Sequence, residues 1–160
     1  MKEKRKTDDK KMSREEYLYH NTEMLLKKYR DVVWSIEVSA IQAQANFELE
    51  MDCKLEEYLK MSYATSADFS GTQIQEQMRI LEKNKKMLKI IESAVNVLKE
   101  SPKLGEIYYW LLYYTYLSKK VFQSVYDIID GIYRESGVYI SRKTYFKYRK
   151  DAINKLSSSM

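Results

Sequence analysis

In the segment SRKTYFKYRKDAINKL, from Ser141 to Leu156, six side chains have the types and spacing to grip a polyanion. They are Arg142, Lys143, Phe146, Lys147, Lys150 and Asn154. On a helix of about 3.6 residues per turn these six share one side. Tyr145, Tyr148, Ala152 and Leu156, with Ile153 at the edge, share the other. Ammonium and guanidinium groups neutralise phosphates, and an arginine also takes a guanine edge through two parallel hydrogen bonds. A phenyl ring among the cations offers an apolar contact to a thymine methyl. With the start of such a helix in a major groove, Arg142, Lys143, Phe146 and Lys147 stand nearest the bases. Lys150 and Asn154 stand further out, at phosphate or groove edge.

A solvated cationic face is the competing reading, and it is the usual fate of a charge run. Three features weigh against it. The segment ends a set of three short helical stretches, its outward side carries almost no acid, and the middle of the chain is acidic. Residues 1–14 carry a net charge of +4 and residues 134–160 a net +5, so the middle sums to −4 against a total of +5. A basic end on an acidic body suits a molecule that meets a polyanion at that end.

Other chemistries find little support. His20 and Cys53 are the only His and Cys, far apart in sequence, so neither a metal set nor an intramolecular disulfide is expected. Glu15-Glu16 and Glu56-Glu57 are adjacent pairs, which on a helix point about 100° apart and make no acid–base couple. The four glycines are scattered and form no phosphate-cradling loop. No enzyme and no cofactor is expected. The stretch Tyr108 to Tyr116 is rich in tyrosine but lacks Lys and Arg, which favours core packing over a stacking platform for single strands.

The elements that must position the basic face follow from composition and period. Four Gly and one Pro in 160 residues are too few for a turn-rich β fold. Residues 1–12 read as a disordered basic tail. Ser13-Arg-Glu-Glu16 is a capping box. Beyond it, apolar residues recur in steps of mostly three or four from Leu18 through Leu25, Tyr29, Ile36 and Phe47 towards Tyr58, which predicts one helix of about 45 residues. Ser62–Thr72 breaks the pattern. Ile74, Met78, Leu81, Asn84, Leu88, Ile91, Val95 and Leu98 then form a coiled-coil-like seam that stops at Ser101-Pro102.

After Pro102, Gly105–Leu117 is apolar on every face and predicts a buried helix. Val121, Val125, Ile128, Ile129 and Ile132 mark the next helix, Gly137 a turn, and Ser141 the N-cap of the last. The expected fold is therefore all-α. A long antiparallel helical hairpin, residues 13–100, precedes a C-terminal three-helix helix-turn-helix module, residues 101–160. The most apolar run, Ile107 to Leu117, is far shorter than the roughly 20 residues a membrane span needs, and the charged N-terminus carries no signal peptide. Both point to a cytoplasmic protein.

The pattern Ser-Arg-x-Thr-Tyr-Phe-x-Tyr-Arg-x-x-Ala-Ile-x-x-Leu at Ser141–Leu156 resembles the terminal helix of phage late-gene transcription regulators of the ArpU/RinA type. Its ending, Ala152-Ile153-Asn154-Lys155-Leu156, is also similar to the promoter-reading helix of sigma factor region four. The resemblance implies a regulator that reads double-stranded DNA with the first turns of this helix. Residues 13–100 then serve as an arm that forms a homodimer or contacts RNA polymerase. A structural or adaptor role, such as a phage assembly or small-terminase-like factor, is the alternative. The DNA module stands first in that arrangement and last in this chain, which ranks the alternative second.

Overall fold

In the computed structural model, the structure describes residues 12–51 and 73–159, with Lys54 and Glu57 between them. The tail at residues 1–11, the break at Ser62–Thr72 and Cys53 lie outside the described residues. Among those described the fold is all-α, with no strand.

Helix α1 spans Arg14–Met51, a rod of 38 residues and about 57 Å at 1.5 Å per residue. At its start Ser13 Oγ accepts the Glu16 N–H at 3.2 Å, the serine half of the expected capping box. Glu15 and Glu16 in its first turn suit the positive pole of the helix dipole. Helix α2, Gln73–Lys99, runs back along α1. The antiparallel pairing is fixed at two levels. Tyr29 Oη donates to Glu92 Oε1 at 2.6 Å, and further along Ser39, Gln42, Ala43 and Asn46 face Gln77, Leu81 and Asn84.

The α2 seam follows the sequence pattern, with Met78, Leu81, Asn84 and Leu88 half-buried and Ile91, Val95 and Leu98 buried. The α1 stripe departs from it. Leu18 is exposed, and Leu26, not Leu25, is the fully buried leucine. The reason is a change of neighbour. Beyond Glu37 the rod packs on α2, whereas its earlier turns also pack on the π turn and the C-terminal helices, so no single stripe serves both.

Lys99 ends α2, and Lys103 at φ +69 reverses the chain. Gly105 opens helix α3, Gly105–Leu112, directly against the end of α2. A Cβ there would lie 2.6 Å from the Lys99 carbonyl oxygen, so only glycine permits the approach. From Ile107 to Ser118 no residue is exposed, as the uniformly apolar stretch predicts.

Helix α3 does not simply end. It widens into a π-helical turn, Tyr113–Leu117, closed by Ser118 N–H donating to the Tyr113 carbonyl at 2.7 Å. Arg30 of α1 holds that turn. Its guanidinium donates to the carbonyls of Ser118 at 2.7 Å, Thr115 at 3.1 Å and Tyr114 at 3.3 Å, and to Ser118 Oγ at 3.3 Å. Carbonyls left over at a helix end need donors, and one planar fork supplies them.

Helix α4, Val125–Ser136, starts later than its apolar spacing suggests. Ser124 Oγ accepts the Tyr126 N–H at 3.2 Å, and this cap leaves Val121 outside the helix and exposed. Helix α5, Arg142–Ser159, follows a short turn. Leu26 of α1, Val95 and Leu98 of α2, Leu111 and Leu112 of α3, Ile129 and Ile132 of α4, and Tyr145, Ile153 and Leu156 of α5 belong to one continuous core. The base of the hairpin and the C-terminal helices thus share their interior across the turn at 100–104. No helix among the described residues is long and apolar enough to cross a membrane.

Candidate nucleic-acid interface

The turn between α4 and α5 is fixed by local hydrogen bonds. Gly137 takes the left-handed conformation at φ +74, and its N–H donates to the Tyr133 carbonyl at 2.8 Å, closing α4. Ser136 Oγ donates to the Ile132 carbonyl at 2.7 Å and accepts the Val138 N–H at 3.2 Å. Ile140 is buried and pins the turn to the core. Ser141 Oγ then accepts the Thr144 N–H at 3.2 Å, the expected N-cap of α5. The link runs from Gly137 to Ser141, so the two helices are joined by a defined corner.

One side of α5 is anchored deeply. Tyr145, Ala152, Ile153, Leu156 and Ser157 are buried and Tyr148 is half-buried. The Tyr145 hydroxyl shares a 2.8 Å hydrogen bond with Thr115 Oγ1 in the π turn, so its polar end is satisfied inside the core. Tyr148 meets Tyr108 edge to face at 5.7 Å. These contacts set the rotation of α5 about its axis.

That rotation leaves all six expected residues, Arg142, Lys143, Phe146, Lys147, Lys150 and Asn154, exposed on the same helix. They fall into two ridges. Lys143, Lys147, Lys150 and Asn154 recur in steps of four, three and four along the outermost line. Arg142 and Phe146 form a second ridge nearer the core, and its third member is Arg149, which the sequence reading passed over. The Phe146 ring lies 5.3 Å from the Arg142 guanidinium carbon and 5.1 Å from that of Arg149. Cation–π attraction therefore holds both guanidiniums close to the ring, which restricts two otherwise flexible side chains. The steps of four and three from Arg142 through Phe146 to Arg149 were the available signal, masked because Arg149 falls near the apolar side of the wheel.

Electrostatically the face is predominantly cationic, with half-buried Asp151, one turn beyond Lys147, the single acid of α5. Among the described residues no ion pair involves Arg142, Lys143, Lys147, Arg149 or Lys150. The first turn of α5 contains no acid, although the helix dipole favours negative charge there. Arg149 also lies near buried tyrosines of the base. Burial pushes the Tyr116 hydroxyl up to about 12, opposed by the Arg149 charge, and burial likewise raises Tyr19. Two exposed aromatics of the corner, Tyr133 and Tyr139, meet edge to face at 6.3 Å beside the start of α5. They had no periodic signal because they belong to the α4 surface and the turn.

Among the described residues no group of three or more His, Cys, Asp and Glu gathers to hold a metal. His20 is exposed at the side of Tyr19. No protein-family model, curated protein or solved structure matches the chain, so it stands on its own geometry.

Proposed function

We propose that the chain is a sequence-specific double-stranded DNA-binding transcriptional regulator of phage or prophage origin. In this reading α5 enters the major groove and the α1–α2 arm associates with a second copy or with RNA polymerase. The observation that carries it is the first turn of α5, where Arg142 and Lys143 occupy the end of the helix least favourable to cations, with no acid to balance them. A cation at that end costs about 0.3–1 kcal/mol. The Phe146 ring offsets this for Arg142, but nothing among the described residues does so for Lys143, and a local rule broken in this way points to use by a ligand. A groove lined with phosphates returns that cost, because each neutralised phosphate releases counterions.

Arg142, Phe146 and Arg149 read base edges and stack in this arrangement. Lys143 and Lys147 reach base or phosphate, and Lys150 and Asn154 hold the groove edge. The test is selection of bound sequences from a random duplex pool, followed by affinity of the full chain at increasing salt. An enriched motif and a steep, linear fall of log affinity with log salt are expected. No enrichment, together with a ring-sized mass in solution, would favour the assembly or small-terminase-like reading instead.

A further inference from the structure

Helix α2 carries two apolar stripes, and only one is covered. The inward stripe ends in Ile91, Val95 and Leu98, all at most 5% exposed. The other runs Ile80, Lys83, Met87, Ile90, Ala94 and Val97, alternating steps of three and four as a coiled-coil seam does. Its large members reach solvent: Ile80, which also borders the hollow between α1 and α2, is 48% exposed, Met87 39%, Ile90 60% and Val97 65%. Scattered exposed apolar residues are ordinary, whereas a heptad-spaced row along one helix is an interface pattern.

We propose that a second copy of the chain docks on this stripe, with its α2 antiparallel to the first. This deepens the arm's role in the proposed function by naming the face and the orientation. In the matching register Ile80 meets Val97 of the second copy, Met87 meets Ile90, and Lys83 meets Ala94. The arrangement is two-fold symmetric, so each contact occurs twice.

Charge and size select this orientation. Arg79 borders one end of the stripe and Glu100 the other, so antiparallel copies bring them together at both ends. Arg79 is otherwise paired only with Glu76 on its own helix, in solvent, and Glu100 forms no ion pair among the described residues. Parallel copies would instead stack Lys83 on Lys83. Antiparallel packing sets Lys83 over Ala94, the smallest residue of the row, where a cavity of about 460 Å³ is lined by Lys89, Ile90, Ser93, Ala94, Val97 and Ser159. The four-carbon stem of lysine fits that hollow while its ammonium reaches the last turn of α5, the negative pole of that helix.

Sedimentation equilibrium of the full chain tests the surface. A dimer is expected, converted to monomer by Ile90→Glu or by Val97→Glu with helical circular dichroism retained. A dimer that survives both substitutions overturns the choice of face. Orientation is tested by oxidative cross-linking in a Cys53→Ser background. Ile80→Cys chains mixed with Val97→Cys chains should link, and neither should link alone, because the two Ile80 positions lie about 26 Å apart along the antiparallel pair. Efficient linking of each variant alone means parallel helices and refutes the proposal. A wild-type chain that stays monomeric at micromolar concentration yet binds duplex refutes the dimer and spares the DNA reading. A dimer without duplex affinity does the reverse.

Discussion

At the far end of the hairpin, Ile36 and Phe47 are the buried residues of α1, and polar Ser39, Gln42, Asn46, Gln77 and Asn84 line, with Ala43, Ile80 and Leu81, a cavity of about 200 Å³ between the helices. At the base α1 packs on the π turn and α5, α2 packs on α3 and α5, α4 closes over α3 and α5, and side chains from all five helices become inaccessible. A helix pair buries chiefly the stripes that face each other, whereas further layers close over residues on several sides. The contrast divides the molecule by depth of packing. The basic ridge of α5 stands on the well-packed base, and the open stripe of α2 stands on the arm.

The sharpest way to break that comparison is a pair of truncations. Leu112→Ala at the base removes a side chain with no exposure and should lower stability by about 2–5 kcal/mol in urea denaturation. Leu81→Ala, half-buried in the arm, should cost about 1 kcal/mol. Equal losses would dissolve the distinction. Arg30→Met comes next, since it leaves the carbonyls of Tyr114, Thr115 and Ser118 short of a donor. A loss of about 1–3 kcal/mol is expected, with faster amide exchange at Ser118 than at Ile129. Ser141→Ala should cost about 1 kcal/mol through the lost cap, and should fray the first turn of α5 on which Arg142 and Lys143 sit.

Alkaline pH sharpens the comparison further. Burial raises the hydroxyls of Tyr29, Tyr114 and Tyr116 above the ordinary value of 10, Tyr116 to about 12. The protonated form is favoured in the folded state, so this contribution is fully present below pH 10 and is lost as pH rises through about 12. Denaturation midpoints should fall between pH 10 and 12, and Tyr116→Phe should flatten the fall. A profile unchanged by Tyr116→Phe would place the titration elsewhere.

How much of this was legible depended on whether the determining contacts are local. The caps at Ser13 and Ser141 and the α2 seam rest on neighbours three or four residues away, and the pattern displays them directly. The buried and exposed sides of α5 were legible for the same reason, down to the six exposed residues. The π turn was not, because its open carbonyls are satisfied by Arg30, more than 80 residues earlier in the chain. The late start of α4 was hidden by Val121, whose apolar character fits the helical spacing although Ser124 sets the boundary. Arg149 escaped notice because a charge beside the apolar side of a helix looks like a peripheral residue until its distance to Phe146 is known.

The most direct measurement is fluorescence anisotropy of the full chain and of an Arg142→Ala/Lys147→Ala variant on a selected duplex and a scrambled one, across a range of salt. The full chain should prefer the selected duplex. The variant should lose about 1–3 kcal/mol of that preference for each base contact removed, while remaining helical and folded. Equal selectivity in both proteins, or an affinity indifferent to salt, would contradict the assignment of this face to DNA.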